Sequence, residues 1–170
     1  MSLNGTIARA DGSVDWLDAV PNPEKTDYGY LEFMETIDTT IMGNNTYKQL
    51  VGWGIEFPYK GKTNYVLTND TALTRDENVI FVSKDPATFI RDIKQAPGKG
   101  IWLIGGGQVN TLLLNEDLID VIRLFIMPVV IPDGIDIFQD RPPETMFKLA
   151  EHKVYSSGVI ELMLVKRTGN

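Results

Sequence analysis

Ile101-Trp102-Leu103-Ile104-Gly105-Gly106-Gly107-Gln108 runs from four consecutive apolar residues into three glycines. A wholly apolar run of strand length is the pattern of a strand buried on both faces of a parallel sheet. The apolar residues around Val109–Leu114 that follow read as a helix. A strand that turns into a helix through residues without side chains brings backbone N–H groups and the positive helix end to one place. Two readings stay open for that turn: a cradle for an anion such as a pyrophosphate, or a tight corner where helix and strand pack closely. It is not the Rossmann fingerprint, because Asn110 stands where G-x-G-x-x-G needs its third glycine.

Working outward, Met42-Gly43-Asn44-Asn45-Thr46-Tyr47 repeats the geometry. Thr39–Met42 is β-branched and strand-like, and Asn44–Leu50 reads as a short helix. Two such turns at one sheet edge would grip the two ends of a dinucleotide. Upstream, Asn22-Pro23 offers an N-cap with proline at the first helical position, and Tyr30, Phe33, Met34 and Ile37 follow the helical spacing, so the expectation is one amphipathic helix. Downstream, strands are expected at Asn64–Thr68 and Asn78–Val82. A helix opened by Asp85-Pro86, with Phe89, Ile90 and Ile93 on its apolar face, is stopped by Pro97-Gly98. Val121–Val130 reads as a long strand, and Phe147–Tyr155 with Val159–Lys166 as a hairpin turned at Ser156-Ser157-Gly158. Alternating strands and helices followed by strands alone predict an α/β fold with a mixed sheet and an antiparallel end.

At 170 residues, 43% apolar and 23% charged, the chain has the size of one domain, expected over residues 1–170. Sixteen basic against 23 acidic side chains give a net charge of −7, which argues against a nucleic-acid partner. The absence of cysteine excludes disulfides, thiolate-bound metals and cysteine nucleophiles, and a single histidine, His152, excludes multi-histidine metal sites. No metal is therefore expected. No apolar run reaches the ~18–20 residues of a membrane span, and the chain is expected to be soluble and cytoplasmic.

Several tempting residues have plain readings. Gly61-Lys62-Thr63 is not a P-loop, because that motif's first glycine would fall on Glu56 and a strand follows. His152 is expected to be an exposed strand residue, since no G-x-S-x-G elbow needs it as a base. The acids Glu116, Asp117 and Asp120 cap or solubilise a helix end. Trp16 and Trp53 can stack on a ring, whereas Trp102 belongs to the core. Asp27 is read two ways: a solvated first-turn acid favoured by the helix dipole, or a carboxylate beside an apolar cleft, with its pKa raised for proton donation.

Together these segments resemble the dihydrofolate reductase superfamily, and within it the group related to the reductase domain of bacterial riboflavin biosynthesis. The resemblance is carried by Ser2-Leu3-Asn4-Gly5-Thr6-Ile7-Ala8, by Thr40–Tyr47, by Tyr65-Val66-Leu67-Thr68, and by Ile101–Val109. Asp117–Asp120 and Pro128–Gly134 complete it, in order across nearly the whole chain. It implies a dihydrofolate reductase-like mixed central sheet flanked by helices, with NADPH lying across both glycine turns. It also implies hydride transfer to a pteridine-like or aminopyrimidine small molecule, the chemistry being the cofactor's and the alignment the protein's. By resemblance, Gly43, Asn44 and Thr46 would hold the pyrophosphate and adenosine side, and Thr68 and Asn69 the 2′-phosphate side. Gly105, Gly106, Gly107, Gln108 and Val109 would hold the other end of the pyrophosphate. Ile7, Ala8 and Trp16 would line the nicotinamide and substrate cleft, with Asn4 on the substrate side, and Asp27 stands where a helix acid holds the substrate ring.

Three positions depart from the family pattern. Asn44 replaces an arginine that would clamp phosphate, Asn4 replaces an aspartate, and Val121 follows Asp120 where Asp-Glu is common. Relatives also carry a strand ahead of the Ser2-Leu3 segment. The expectation is a sheet edge or gap at that place, covered by a second subunit in a homodimer. The leading functional expectation is an NADPH-dependent reductase, with a non-catalytic dinucleotide-binding protein of the same fold, and a structural dimer, as alternatives.

Overall fold

The computed structural model describes residues 1–167. Its organising strand is β2 (Ile37–Gly43), which pairs in parallel on both sides. With β1 as Thr6–Ala8, the other strands of its sheet are β3 (Thr63–Leu67), β4 (Ile80–Val82) and β5 (Gly100–Gly105), in the order β4-β3-β2-β5. Parallel strands need helical crossovers, which cover both faces of such a sheet. Alternation along the strands divides the apolar residues accordingly. Met42 and Val66 point with Trp102 toward α1 (Tyr30–Thr36) and α2 (Asn44–Gly52). Ile41, Leu67 and Val82 point toward α3 (Pro86–Gln95) and α4 (Gly107–Asn115). Ile41, Met42 and Val66 are fully buried, each contributing about 1.5–3 kcal/mol of transfer free energy. The buried Thr40 hydroxyl donates to Asn64 Oδ1 at 2.7 Å, and the Asn64 amide donates to backbone carbonyls, so these polar groups inside the sheet are paired.

A second, three-stranded antiparallel sheet is formed by β6 (Val121–Ile126), β8 (Phe147–Val154) and β9 (Ile160–Lys166), ordered β6-β9-β8. The C-terminal hairpin closes as expected around Gly158, at φ +82°. β1 pairs with the short β7 (Ile135–Asp136). The α/β class, the helix-flanked parallel sheet and the antiparallel end agree with the sequence reading, but the strands divide into separate sheets. β5 and β6 are each paired on one side only. Ile101–Ile104 is consequently half-buried instead of buried on both faces. Met1 N donates to Phe125 O and Met127 N donates to Met1 O, which is one parallel bridge on the open side of β6.

The register of the second sheet sorts its side chains. Arg123, Phe125, Glu161 and Met163 share the face toward α1, where Phe33 lies over Arg123. Ile122, Leu124, Ile126, Leu162 and Leu164 share the opposite face with Leu149 and Val154, and Leu149 is 50% exposed and Val154 68%.

Three element boundaries differ from expectation. The helix anticipated from Asn22 begins only at Tyr30, because Asn22 closes a loop of its own with Thr26 and because Lys25 and Tyr28 adopt positive φ. The strand anticipated to Val130 ends at Ile126, before Pro128, which has no N–H for a ladder. Asn78 and Val79 are held by the Asp76 carboxylate in a turn, so β4 starts at Ile80. Among the described residues no helix is long and apolar enough to cross a membrane.

Candidate active site at the carboxyl edge of the parallel sheet

β2 and β5 are neighbours, and both end in glycine at the same edge, with Met42 in register with Gly105. The two helices that follow, α2 and α4, have Gly43 and Gly106 as N-caps, and neither has a side chain capping its first turn. In α3, by contrast, the Asp85 carboxylate accepts from Thr88 N. An uncapped helix start leaves N–H donors and the positive dipole end available to an anion. Here two such starts face each other. A Cβ placed on Gly43 would stand 3.0 Å from Val109 Cγ2, and one placed on Gly106 would meet only the Thr46 hydroxyl, at 3.8 Å. The Gly105–Gly106 peptide bond is cis.

The three glycines of the second turn do different things. At Gly107 a Cβ would come within 2.3 Å of Asp136 O and 2.7 Å of Gln139 Cγ, so this glycine lets α4 lie against β7. Gly105 is buried with φ +118°, a conformation that side chains rarely adopt. A Cβ on Gly105 or Gly106 would make only ordinary contacts, with Asn110 and Thr46 at 3.8 Å, and of the two only Gly106 has a backbone open to any residue, at φ −87°. Of the two readings of the turn, close packing accounts for Gly107, and the cradle geometry is that of Gly106 together with Thr46.

Thr68, Asn69, Ile7 and Ala8 are carried by elements that reach this edge. Thr68 and Asn69 follow β3, whose Leu67 is in register with Gly43, and the Thr68 hydroxyl accepts from Asp70 N. Ile7 and Ala8 lie in β1 against β7, which itself touches Gly107. Gln108 is exposed at the start of α4. Trp16 is 4% exposed, in a single turn of 3-10 helix at Asp15–Leu17. Its indole N–H is the one buried side-chain polar atom among the described residues without a hydrogen-bond partner, which leaves a donor unsatisfied in the absence of a ligand or water. Asn4 is spent otherwise: its amide donates to Ile131 O at 2.8 Å, and its oxygen accepts from Ile131 N and from Ser2 Oγ.

Asp27 is exposed and precedes α1, where Oδ1 accepts from Gly29 N and Oδ2 from Leu31 N. These bonds from Leu31 and Gly29 hold its carboxyl below the ordinary aspartate value. The raised pKa anticipated for proton donation is therefore corrected: Asp27 is an ionised acceptor that caps the helix. His152 is exposed on β8, as expected.

Sequence reasoning missed Arg123, Glu161 and Tyr155. Arg123 Nε donates to Glu161 Oε1 at 2.5 Å, and Tyr155 OH donates to Glu161 Oε2 at 2.6 Å. Burial raises the Glu161 carboxyl, but the hydrogen bonds from Tyr155 and Arg123 outweigh it and leave the value below normal. Burial and the Glu161 contact push the Tyr155 phenol up to about 12. The available signal was a charge set among apolar residues in each of two strands, Arg123 in Val121–Ile126 and Glu161 in Ile160–Lys166.

A nicotinamide dinucleotide fits the edge on chemical grounds. Gly106 leaves a cradle that a side chain would fill, two uncapped helix starts supply donors for a pyrophosphate, and Thr46 adds a hydroxyl. The uncharacterized protein YwjB of Bacillus subtilis (strain 168) is 36% identical over 159 residues, which cover 94% of this chain and 90% of the relative. A candidate riboflavin biosynthesis protein from Shewanella sp. PV-4 superimposes with a TM-score of 0.85 at 26% identity, over 98% of this chain and 95% of that one. The diaminohydroxyphosphoribosylaminopyrimidine deaminase/5-amino-6-(5-phosphoribosylamino)uracil reductase of Thermotoga maritima does so with a TM-score of 0.70 at 17% identity, over 98% of this chain and 54% of that one. Residues 1–161 match the model of the RibD C-terminal domain, and the chain belongs to that family.

Proposed function

We propose that the chain is an NADPH-dependent reductase that passes a hydride to a pteridine-like or aminopyrimidine small molecule, working in the cytoplasm as a homodimer. The observation that carries this reading is the pair of uncapped helix starts beside Gly106, where a Cβ would meet no atom but the Thr46 hydroxyl, at contact distance. When bound, the dinucleotide supplies the hydride. The protein's part is to bind and orient. Backbone N–H groups at Asn44–Thr46 and Gly107–Val109 take the pyrophosphate, and Thr68 and Asn69 take the 2′-phosphate. Ile7 and Ala8 line the nicotinamide, and the Trp16 indole N–H donates to the substrate. Asp27, ionised as its hydrogen bonds require, is an acceptor for N–H groups of the substrate ring and not an acid.

A second reading, a dinucleotide-binding protein without turnover, is favoured by two particulars. Asn44 offers no guanidinium to phosphate, and Asn4 is engaged by the Ile131 backbone. Titration with NADPH and NADH, followed by intrinsic fluorescence, tests the binding common to both readings. Oxidation of NADPH by a panel of pteridines and aminopyrimidines then decides between them. Saturable NADPH binding with substrate-dependent oxidation is expected. Binding without oxidation by any member leaves the second reading, and no binding removes both.

A further inference from the structure

Residues 9–35 join β1 to β2 and carry both Trp16 and Asp27. The segment is tied down along its length. Gln49 of α2 donates to Gly12 O at 2.6 Å, Tyr28 OH donates to Ser157 Oγ in the hairpin turn at 3.1 Å, and Phe33 meets Trp102 of β5 edge to face at 5.3 Å. Its charge is lopsided. Seven acids, from Asp11 to Glu35, stand there against two bases, Arg9 and Lys25, so the segment holds five of the chain's seven net negative charges. All seven acids are exposed, and Arg9 is already engaged by Asp15 at 2.6 Å. Hydrogen bonds from Ser13 to Asp11, from Arg9 to Asp15 and from Leu31 to Asp27 hold these three carboxyls below the ordinary aspartate value, so they are ionised at neutral pH. Within the same segment lies the one buried side-chain polar atom among the described residues without a partner, Nε1 of Trp16, in a residue 4% exposed. An acceptor on a ligand would recover the free energy that this donor costs.

The two ends of the cleft therefore differ in sign. At the carboxyl edge of the parallel sheet, the uncapped starts of α2 and α4 present N–H donors and positive dipole ends, which suit a pyrophosphate. Beside Trp16 and Asp27 the field is negative. Like charges around a cleft act together over about a Debye length, ~10 Å at 0.1 M salt, and change the rate of ligand capture by about 10–10³. A phosphate or carboxylate on the substrate would be repelled from this end, whereas a neutral or cationic substituent meets no such opposition.

We propose that the substrate carries no phosphate or carboxylate: residues 9–35 select a neutral or cationic substituent by charge, and the Trp16 indole N–H donates to a nitrogen of its ring. This assignment rests on the reductase reading and narrows the substrate class for it. The test titrates the purified chain, with and without NADP⁺, with two fluorescent rings of one class: 2,4-diamino-6-aminomethylpteridine, whose substituent is cationic, and 2,4-diaminopteridine-6-carboxylate. At about 20 mM salt the amine should bind about tenfold or more tighter than the carboxylate, and the ratio should fall to within about threefold at about 1 M, where the Debye length is ~3 Å. Asp11→Asn, Asp18→Asn and Glu24→Gln together should lower the low-salt ratio about threefold or more. Asp92→Asn, Glu144→Gln and Glu151→Gln, at exposed acids outside the segment, make the same change in net charge and should leave the ratio within about twofold. Trp16→Phe should weaken both probes about threefold or more without changing their ratio. Equal binding of the two probes, tighter binding of the carboxylate, a ratio indifferent to salt, a triple variant no different from its control, wild-type affinities in a folded Trp16→Phe, or binding of neither probe each overturns the assignment. NADPH titration of the same proteins separates the two claims. Failure of wild type to bind NADPH sinks the reductase reading, while the pair of probes still decides the selection by charge.

Discussion

Gly106 and Asp27 show how one residue type can serve either folding or chemistry. Gly106 has φ −87° and ψ −163°, extended backbone open to any residue, and it is the N-cap of α4. Aspartate is a better N-cap than glycine, worth a few tenths to about 1 kcal/mol. Gly106→Asp should therefore fold with equal or raised thermal stability, yet lose about tenfold or more in NADPH affinity, because a carboxylate would take the donors meant for phosphate. Calorimetry and fluorescence titration on one sample check both halves; unchanged NADPH affinity would remove the cradle. For Asp27, the bonds to Gly29 N and Leu31 N predict a lower melting temperature when the cap is removed as Asp27→Ala. Asp27→Asn retains part of the cap and isolates the charge. NADPH affinity should stay within about threefold while turnover falls by about tenfold or more, the effect of losing a charged acceptor for the substrate ring. Turnover equal to wild type in Asp27→Asn would make Asp27 a helix cap only. The carboxylate's depressed pKa adds a sign: its contribution to folding is present above the unfolded aspartate pKa near 4 and is lost as pH falls below it.

At the scale of elements, the strands and helices around the two glycine turns were legible because each reading rested on several agreeing signals. β-branched residues gave β2, an apolar run gave β5, β3 was read within one residue, and the Asp85-Pro86 start gave α3 as observed. The first helix was misplaced because Asn22-Pro23 is an equally good start for a loop closed by its own side chain, and local sequence does not distinguish the two. The separate duties of Gly105, Gly106 and Gly107 were not legible either, since they depend on what approaches from β7, far away in sequence. Nor was the Arg123–Glu161 pair, which exists only through the β6–β9 register. Gly107→Ala tests the packing half of that division. Its Cβ would press on a backbone carbonyl and on Gln139, neither of which can move without parting α4 from β7, and the cost should be about 1–3 kcal/mol. Gly106→Ala, whose Cβ would make only an ordinary contact with the Thr46 hydroxyl, should stay within about 0.5 kcal/mol of wild type. Denaturant unfolding of the two variants side by side checks this, and equal midpoints would mean that α4 does not lie against β7 so closely.

The whole molecule carries its most conspicuous unfinished surface on the face of the second sheet that α1 does not cover. Ile122, Leu124, Ile126, Leu162 and Leu164 lie there with Leu149 and Val154, and none of these belongs to either apolar core built on the parallel sheet. A contiguous apolar sheet face of this kind is uncommon on a monomer. A second copy would cover it face to face about a twofold axis, which places the same residues on both sides of the contact. The homodimer anticipated from the sequence is thus proposed at this face and not at a sheet edge. Light scattering on the purified chain should give twice the mass of 19.0 kDa. Leu149→Lys and Val154→Lys lie on exposed positions where a monomer would tolerate charge, but at a twofold contact they bring like charges together in apolar surroundings. The double variant should therefore run as a folded monomer, with NADPH affinity kept because the glycine turns belong to the other sheet. A dimer that survives both substitutions, or a wild type that is monomeric at micromolar concentration, would show that this face does not join two copies.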